Sequence, residues 1–360
     1  VYNLSIGRSA ASVLNLSMPW GTSLNITENL AIGGSGVLTH RNNSNAEAYN
    51  LNITVGGNLT IASGGTINVT GRGYMGGGGP GRPSNSDGSG SGYGGYGGSY
   101  QGNSVSYPSG VPYGSVTAPI NLGSGHYNNA YTNGGGAVII NVTGQTNVTG
   151  SIESNPYRII STAIGSTGGS IYLITGTLVG TGNISAAGNS LAYSDWGSGS
   201  GGRIAVHLTS GNDFNSVSFV NHGSRDTNCQ SSTCSGAAGT IYLKKAAEIY
   251  GTLIVDNNNY ATNPGITTAI SSNETTYLGN ITLKMLARLE VPSTNSTLVI
   301  VDSRNITGDN QNNSRIIING NLTFANYTSF INWTALTLED NGQVNNLSDN
   351  ITISGFKWSV

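Results

Sequence analysis

The chain is 360 residues long with a formal net charge of −2, and only 8% of its residues are charged, against about 25% in ordinary soluble domains. So neutral a chain has no electrostatic reason to seek nucleic acid or an acidic membrane surface, and no apolar run approaches the roughly 18 residues of a membrane-spanning helix. Low charge also works against solubility, which a coat of hydrophilic glycans or assembly into a polymer would relieve.

The first 70 residues read as short strands. Apolar side chains alternate at Tyr2/Leu4/Ile6, Leu14/Leu16/Met18, Leu24/Ile26, Leu51/Ile53/Val55, Leu59/Ile61 and Ile67/Val69, the period-two pattern of a half-buried strand. Gly56-Gly57 and Gly64-Gly65 supply turns between them. Asn-x-Ser/Thr triplets, the acceptors of N-linked glycans on secreted proteins, are interleaved with these strands. Twenty occur in the whole chain, about twice what random placement of its 45 Asn and 81 Ser and Thr residues gives. Sixteen have an apolar or aromatic centre: Asn3, Asn15, Asn25, Asn52, Asn58, Asn68, Asn141, Asn147, Asn183, Asn280, Asn305, Asn321, Asn326, Asn332, Asn346 and Asn350. Asn42, Asn273, Asn295 and Asn312 begin the four with a polar centre. On a strand the Asn and the hydroxyl point one way and the middle residue the other. One such triplet therefore marks a core face and a sugar-bearing face together; Asn and Thr ladders along a strand face are the competing use.

Residues 71–136 change character, with 22 Gly and 8 Tyr among them and no triplet. In isolation this composition reads as a flexible linker; the expectation is a tract ordered by neighbouring copies of the chain, Tyr rings acting as anchors. Residues 137–256 then repeat. Gly135-Gly136, Gly168-Gly169, Gly201-Gly202 and Ala238-Gly239 each precede a short apolar strand, at steps of 33, 33 and 37 residues. Second strands follow at Thr177–Val179 and Thr252–Val255. Such a period without helical periodicity points to an all-β, elongated solenoid whose levels stack to bury a continuous core. The units 168–188 and 56–70 resemble those of glycine-rich parallel β-helix surface proteins, the adhesin-like and cell-envelope repeat proteins of microbes. That resemblance implies a β-helical architecture and a surface role.

From about residue 273 the triplets return, with strands expected at Ile281–Leu283, Leu298–Val301, Ile316–Ile318, Leu322–Phe324 and Ile351–Ile353. Either end of the chain, Tyr2–Ile6 or Phe356–Val360, is able to complete its own sheet or to add a strand to another copy. Only Lys244–Ile249 and Lys284–Glu290 suggest helical turns. The expected organisation is an N-terminal strand segment (1–70), a Gly/Tyr-rich insertion making assembly contacts (71–136), repeated solenoid levels (137–256) and a glycosylated β-rich C-terminal segment (257–360).

Candidate chemistry is sparse. Cys229 and Cys234 suit a local disulfide in an oxidising exterior, and the absence of an initiator Met at Val1 fits a mature chain whose secretion signal has been removed. Arg203, His207, Asp213, His222, Arg225 and Asp226 are the densest group of titratable residues, readable as a catalytic cleft or as an exposed charge cluster. Calcium would have to use isolated acids such as Asp302, Asp309, Asp340 and Asp349 with Asn and carbonyl oxygens. Trp20, Trp196, Trp333 and Trp358 are too scattered for a sugar-stacking platform. The expectation is therefore a non-enzymatic, cofactor-free, N-glycosylated extracellular protein whose partners are identical subunits of a filament, sheath or surface layer. A monomeric adhesin-like or carbohydrate-binding module, and a polysaccharide-active enzyme, are the competing readings.

Overall fold

The computed structural model is all β, with no helix among the described residues. It describes residues 1–360 apart from 8–9, 85–87, 101–108, 127–131, 159–164, 189–195, 226–233, 294, 302–304, 309–314, 320, 326–327, 332–334, 339–342, 347–350, 354–357 and 360; beyond residue 322 only the backbone is described. Eight strands precede residue 70: β1 Leu4–Ile6, β2 Ser12–Leu16, β3 Leu24–Ile26, β4 Leu30–Ile32, β5 Gly36–His40, β6 Leu51–Val55, β7 Leu59–Ile61 and β8 Thr66–Asn68. Nine follow to residue 244: β9 Thr132–Asn133, β10 Ala137–Val148, β11 Ser151–Glu153, β12 Tyr157–Arg158, β13 Ser170–Val179, β14 Asn183–Ser185, β15 Arg203–Leu208, β16 Ser218–Val220 and β17 Thr240–Lys244. The rest begin with β18 Thr252–Asp256, β19 Thr268–Ala269, β20 Thr275–Leu278, β21 Asn280–Lys284, β22 Arg288–Val291, β23 Thr297–Val301 and β24 Asn305–Thr307. They end with β25 Arg315–Ile318, β26 Asn321–Ala325, β27 Thr328–Ile331, β28 Ala335–Leu338, β29 Gln343–Asn346, β30 Ile351–Ile353 and β31 Trp358–Ser359.

Most strands pair in parallel, each with a strand of the next repeat, while β9 and β12 form a small antiparallel pair. One sheet runs β1-β4-β7-β10-β13-β15-β17 and continues through β18-β21-β24-β27-β30, with β3 and β6 joining it at β10. A second runs β16-β14-β11-β8-β5-β2. Two more, β19-β22-β25-β28-β31 and β20-β23-β26-β29, accompany the C-terminal part. The repeat aligns in register: Ala137 pairs with Ser170, Ser170 with Arg203 and Arg203 with Thr240, so each Gly-Gly pair delivers its strand to the same place one level on. Because β6, β7 and β8 pair directly with β10 and β11, the sheets run without interruption from residues 51–68 to 137–153. The terminal strands pair within the chain, β1 with β4 and β31 with β28.

The junction β17–β18 is antiparallel. This reversal, the one antiparallel step within that sheet among the described residues, separates two apolar cores. Ile204, Val206, Leu208 and Ile241 face the first, which also contains Leu30, Leu59, Val138 and Ile171. Ala205 and Tyr242, pointing to the opposite face of the same sheet, belong to the second with Leu253, Val255, Ile281, Leu298 and Ile316. Each such aliphatic side chain, fully buried, contributes about 1.5–3 kcal/mol of transfer free energy.

The stretches expected to turn helically do not. Lys284 closes β21, and Met285 and Leu286 take left-handed conformations, with φ of 51° and 66°, in a tight connection to β22. Two left-handed residues in succession turn the chain too sharply for a helix and cost bulky residues about 1–2 kcal/mol each.

The described residues of 71–136 are packed within the chain rather than free. With residues 165–169, 197–202 and 235–239 they form a block of extended glycine-rich segments that carry almost no sheet pairing. Gly90 N–H donates to Gly98 O, Ser91 to Gly165, Gly92 to Gly81 and Gly94 to Gly201. Gly197, Ser198, Ser200 and Gly201 donate in turn to Gly88, Cys234, Ser91 and Ala237. Successive amides thus reach different neighbours, as a screw of three residues per turn with amides about 120° apart requires, whereas a strand sends alternate amides to the same one. The spacing excludes side chains: a Cβ on Gly199 would lie 1.9 Å from the carbonyl oxygen of Ser166, and one on Gly98 1.8 Å from that of Cys234. Some serines add their hydroxyls to the network, as in Tyr93 N–H to Ser200 Oγ at 2.9 Å and Ser91 Oγ to Gly125 O at 2.9 Å. Tyr74 and Tyr93 are turned inward. Tyr93 is buried 4.5 Å from the Tyr113 ring, so contacts within one chain hold this part of the tract.

Candidate functional site

The triplet asparagines divide by surface. Fourteen have described side chains and none is buried: Asn3, Asn15, Asn25, Asn42, Asn58, Asn141, Asn273 and Asn295 are exposed, while Asn52, Asn68, Asn147, Asn183, Asn280 and Asn321 are half-buried. Asn305 and Asn346 lie on strands whose side chains are not described, and Asn312, Asn326, Asn332 and Asn350 lie outside the described residues. Among the described residues the buried asparagines are Asn43, Asn50, Asn221 and Asn257, and none of these four begins a triplet. The middle residues go the other way: Ile26, Ile53, Leu59, Val69, Val142, Val148, Ile184 and Ile281 are all buried.

One row of the first sheet shows where the triplets stop. Asn25 pairs with Thr54 and Thr54 with Asn141, all on the outer face. The same row continues through Ile174, His207 and Lys244. There the outer face is covered by residues 115–117, with His207 Nε2–H donating to Thr117 O at 2.9 Å. Cover from the chain's own tract begins where acceptor triplets end.

Some triplet asparagines do a second job. Asn29 N–H donates to Asn3 Oδ1 at 2.9 Å, Asn58 N–H to Asn29 Oδ1 at 2.8 Å, and Gln145 N–H to Asn58 Oδ1 at 2.8 Å. This ladder satisfies one orphaned amide per level where the chain enters β4, β7 and the second half of β10. Asn3 also spends its amide nitrogen on Glu28 at 2.8 Å, and Asn68 spends its own on Glu153 at 3.1 Å. Ladders were the competing use of these asparagines in the sequence, and the recurrence of Asn3-Leu4, Asn29-Leu30 and Asn58-Leu59 at equivalent positions is the signal for this one.

The densest titratable group is dispersed. Arg203 is completely buried and has been drawn under the glycine-rich tract. Its guanidinium donates to Tyr113 O at 2.8 Å, Thr240 Oγ1 at 3.1 Å and Ala269 O at 3.1 Å, and lies over the Tyr93 ring. Burial pulls its pKa down to about 10, so it stays cationic at neutral pH without a carboxylate touching it. His207, on the same face, sits between the rings of Tyr172 and Tyr242. Asp213 caps the local amide of Asn215 at 2.9 Å. His222 bonds Gly223 O and packs on Tyr260, which also lies beneath Arg225; Asp226 lies outside the described residues.

Cys234 is buried and disulfide-bonded; Cys229 lies outside the described residues. Among the described residues no three of His, Cys, Asp and Glu converge to share an ion; Asp302, Asp309, Asp340 and Asp349 are not among them. Trp20 packs on the Tyr74 and Leu122 cluster and Trp196 edge-on to Tyr100, while Trp333 lies outside the described residues and Trp358 is described only as backbone. No described helix is long and apolar enough to cross a membrane.

A cleft of about 350 Å³ opens where residues 115–117, the ends of β15 and β17, and residues 274–277 meet. Its walls are both polar and aromatic. No family model, no curated protein and no solved structure matches this chain.

Proposed function

We propose that this chain is a structural, N-glycosylated extracellular protein, built as a β-solenoid, that self-assembles into a filament, sheath or surface layer. The observation that carries the reading is the segregation of asparagines: every described triplet Asn reaches the surface, while the fully buried ones lie outside triplets. Parallel pairing between successive levels, with apolar residues inward, is the geometry of a stacked repeat. A surface so poor in charge gains solubility from attached glycans. For assembly, the support comes from strand edges. β16 ends its sheet with β14 as its one strand partner among the described residues, and an unpaired edge is a template for another strand. The tyrosines Tyr74 and Tyr93 are turned into the chain, so the edges rather than these rings are the proposed joints.

Intact mass of the native protein tests the first part. Values well above 36.9 kDa, falling after glycan removal, are expected, and a bare mass overturns it. Regular polymers in electron micrographs of purified material test the second. The cleft beside β20 favours one competing reading, a monomeric adhesin-like module, for which the same micrographs would show single particles.

A further inference from the structure

The cleft at the meeting of the two cores carries a more specific assignment. We propose that it binds a neutral saccharide unit. Its volume of about 350 Å³ falls at the lower end of small-ligand sites, about 300–1,000 Å³, and it lies where such sites are common, between two separately packed parts of the chain.

The chemistry of the walls selects the ligand. Tyr250 and Tyr277 stack on each other with centroids 5.3 Å apart and planes 19° from parallel, and Tyr277 is 44% exposed, presenting a flat apolar surface. Around it stand groups of both hydrogen-bonding kinds. Lys244 donates and Glu274 accepts. His207 donates its Nε2–H to Thr117 O, so the neutral ring keeps Nδ1 as an acceptor; burial outweighs that hydrogen bond and, with Lys244, holds this imidazole below its ordinary pKa. The Tyr242 oxygen already accepts from Gly251 N–H at 2.7 Å and keeps its own proton to give. Thr276 also lines the cleft.

A sugar ring matches this set: its hydroxyls both donate and accept, and its C–H face lies on an aromatic ring. A phosphate or nucleotide would need an excess of cationic groups, whereas here one lysine is offset by one glutamate. An apolar ligand would strand the polar groups. The saccharide has two possible sources, a glycan on another copy of this chain or an external polysaccharide. The assignment rests on the cleft alone and stands whether or not the triplets carry glycans.

The test uses full-length protein made without N-glycosylation, so that its own glycans do not compete. Saturation-transfer NMR and titration calorimetry would be run with glucose, galactose, mannose and N-acetylglucosamine, and with glucuronate and inorganic phosphate as anionic controls. Saturable binding of at least one neutral sugar is expected, weakened about tenfold by Tyr277→Ala with the melting temperature unchanged. Glu274→Gln, at an exposed position, provides a second variant that should weaken binding while the chain stays folded. Absence of binding by every neutral sugar at millimolar concentration would overturn the proposal. So would preference for glucuronate or phosphate, or affinity unchanged in both variants. Comparing glycans released from the native protein with the same simple sugars then tells a contact between copies from capture of an external polysaccharide.

Discussion

The strand ladders and the glycine block solve one problem in opposite ways. In the ladders, backbone amides are satisfied by parallel neighbours and the side chains are sorted by face, apolar inward and Asn or Thr outward. In the block there is almost nothing to sort. At their closest approaches the segments leave no room for a Cβ, as at Gly98 and Gly199, and the amides are shared among several neighbours. The ladders tolerate change on one face; the block tolerates almost none.

The largest expected effect comes from adding a methyl group inside the block. Gly199→Ala should lower stability by about 4 kcal/mol or prevent folding, because the new Cβ meets a backbone carbonyl at 1.9 Å with no side chain to move aside. Gly21→Ala is the comparison, since nothing lies within 4 Å of its added Cβ and only the φ of +80° is unfavourable, at about 1–2 kcal/mol. Denaturant unfolding of both variants checks the contrast, and equal costs would break it. Arg203→Met comes next. The carbonyls of Tyr113 and Ala269 would lose their donor where ladder and block meet, and a loss of about 3 kcal/mol is expected in the same assay.

Acid should act on both regions. Burial pushes His40, in β5, and His126, in the block, down to about 4. The unfolded chain takes up these protons near the ordinary value of about 6.5. Stability is therefore full above that pH and is lost as pH falls from about 6.5 towards 4, by up to roughly 3 kcal/mol for each histidine. Melting temperatures across this window should fall, and His40→Gln and His126→Gln should each flatten the slope. The smallest effect separates ladder from sugar. Asn58→Ala removes the acceptor for Gln145 N–H and should cost about 1 kcal/mol in unglycosylated protein. Asn15→Ala, at an exposed position, should stay within about 0.5 kcal/mol.

The ladders were largely legible in the sequence because period two and paired glycines are local signals. The 33-residue step from Ala137 to Ser170 to Arg203 could be read directly and reappears as strand register. The block was legible in composition but not in partners, since glycine has no side chain to reveal which segment it meets. Arg203 shows why the chemistry misled: its strand alternates as if that face were exposed, and the cover arrives with Tyr113, 90 residues earlier. The acceptor and ladder roles of Asn58 use one residue type in one pattern, so only geometry separates them.

The excursion through 71–136 also has a kinetic consequence. Thr66 and Ser151 meet across a sequence separation of 85 residues, whereas the C-terminal levels close short loops such as Ile281 to Ile306. Closing the long loop costs entropy before its contacts repay it. The C-terminal levels should therefore assemble early, and the N-terminal ladder should stall after β8 until the glycine segments have found one another. The tract that contributes fewest side chains would then set the pace at which the whole chain folds.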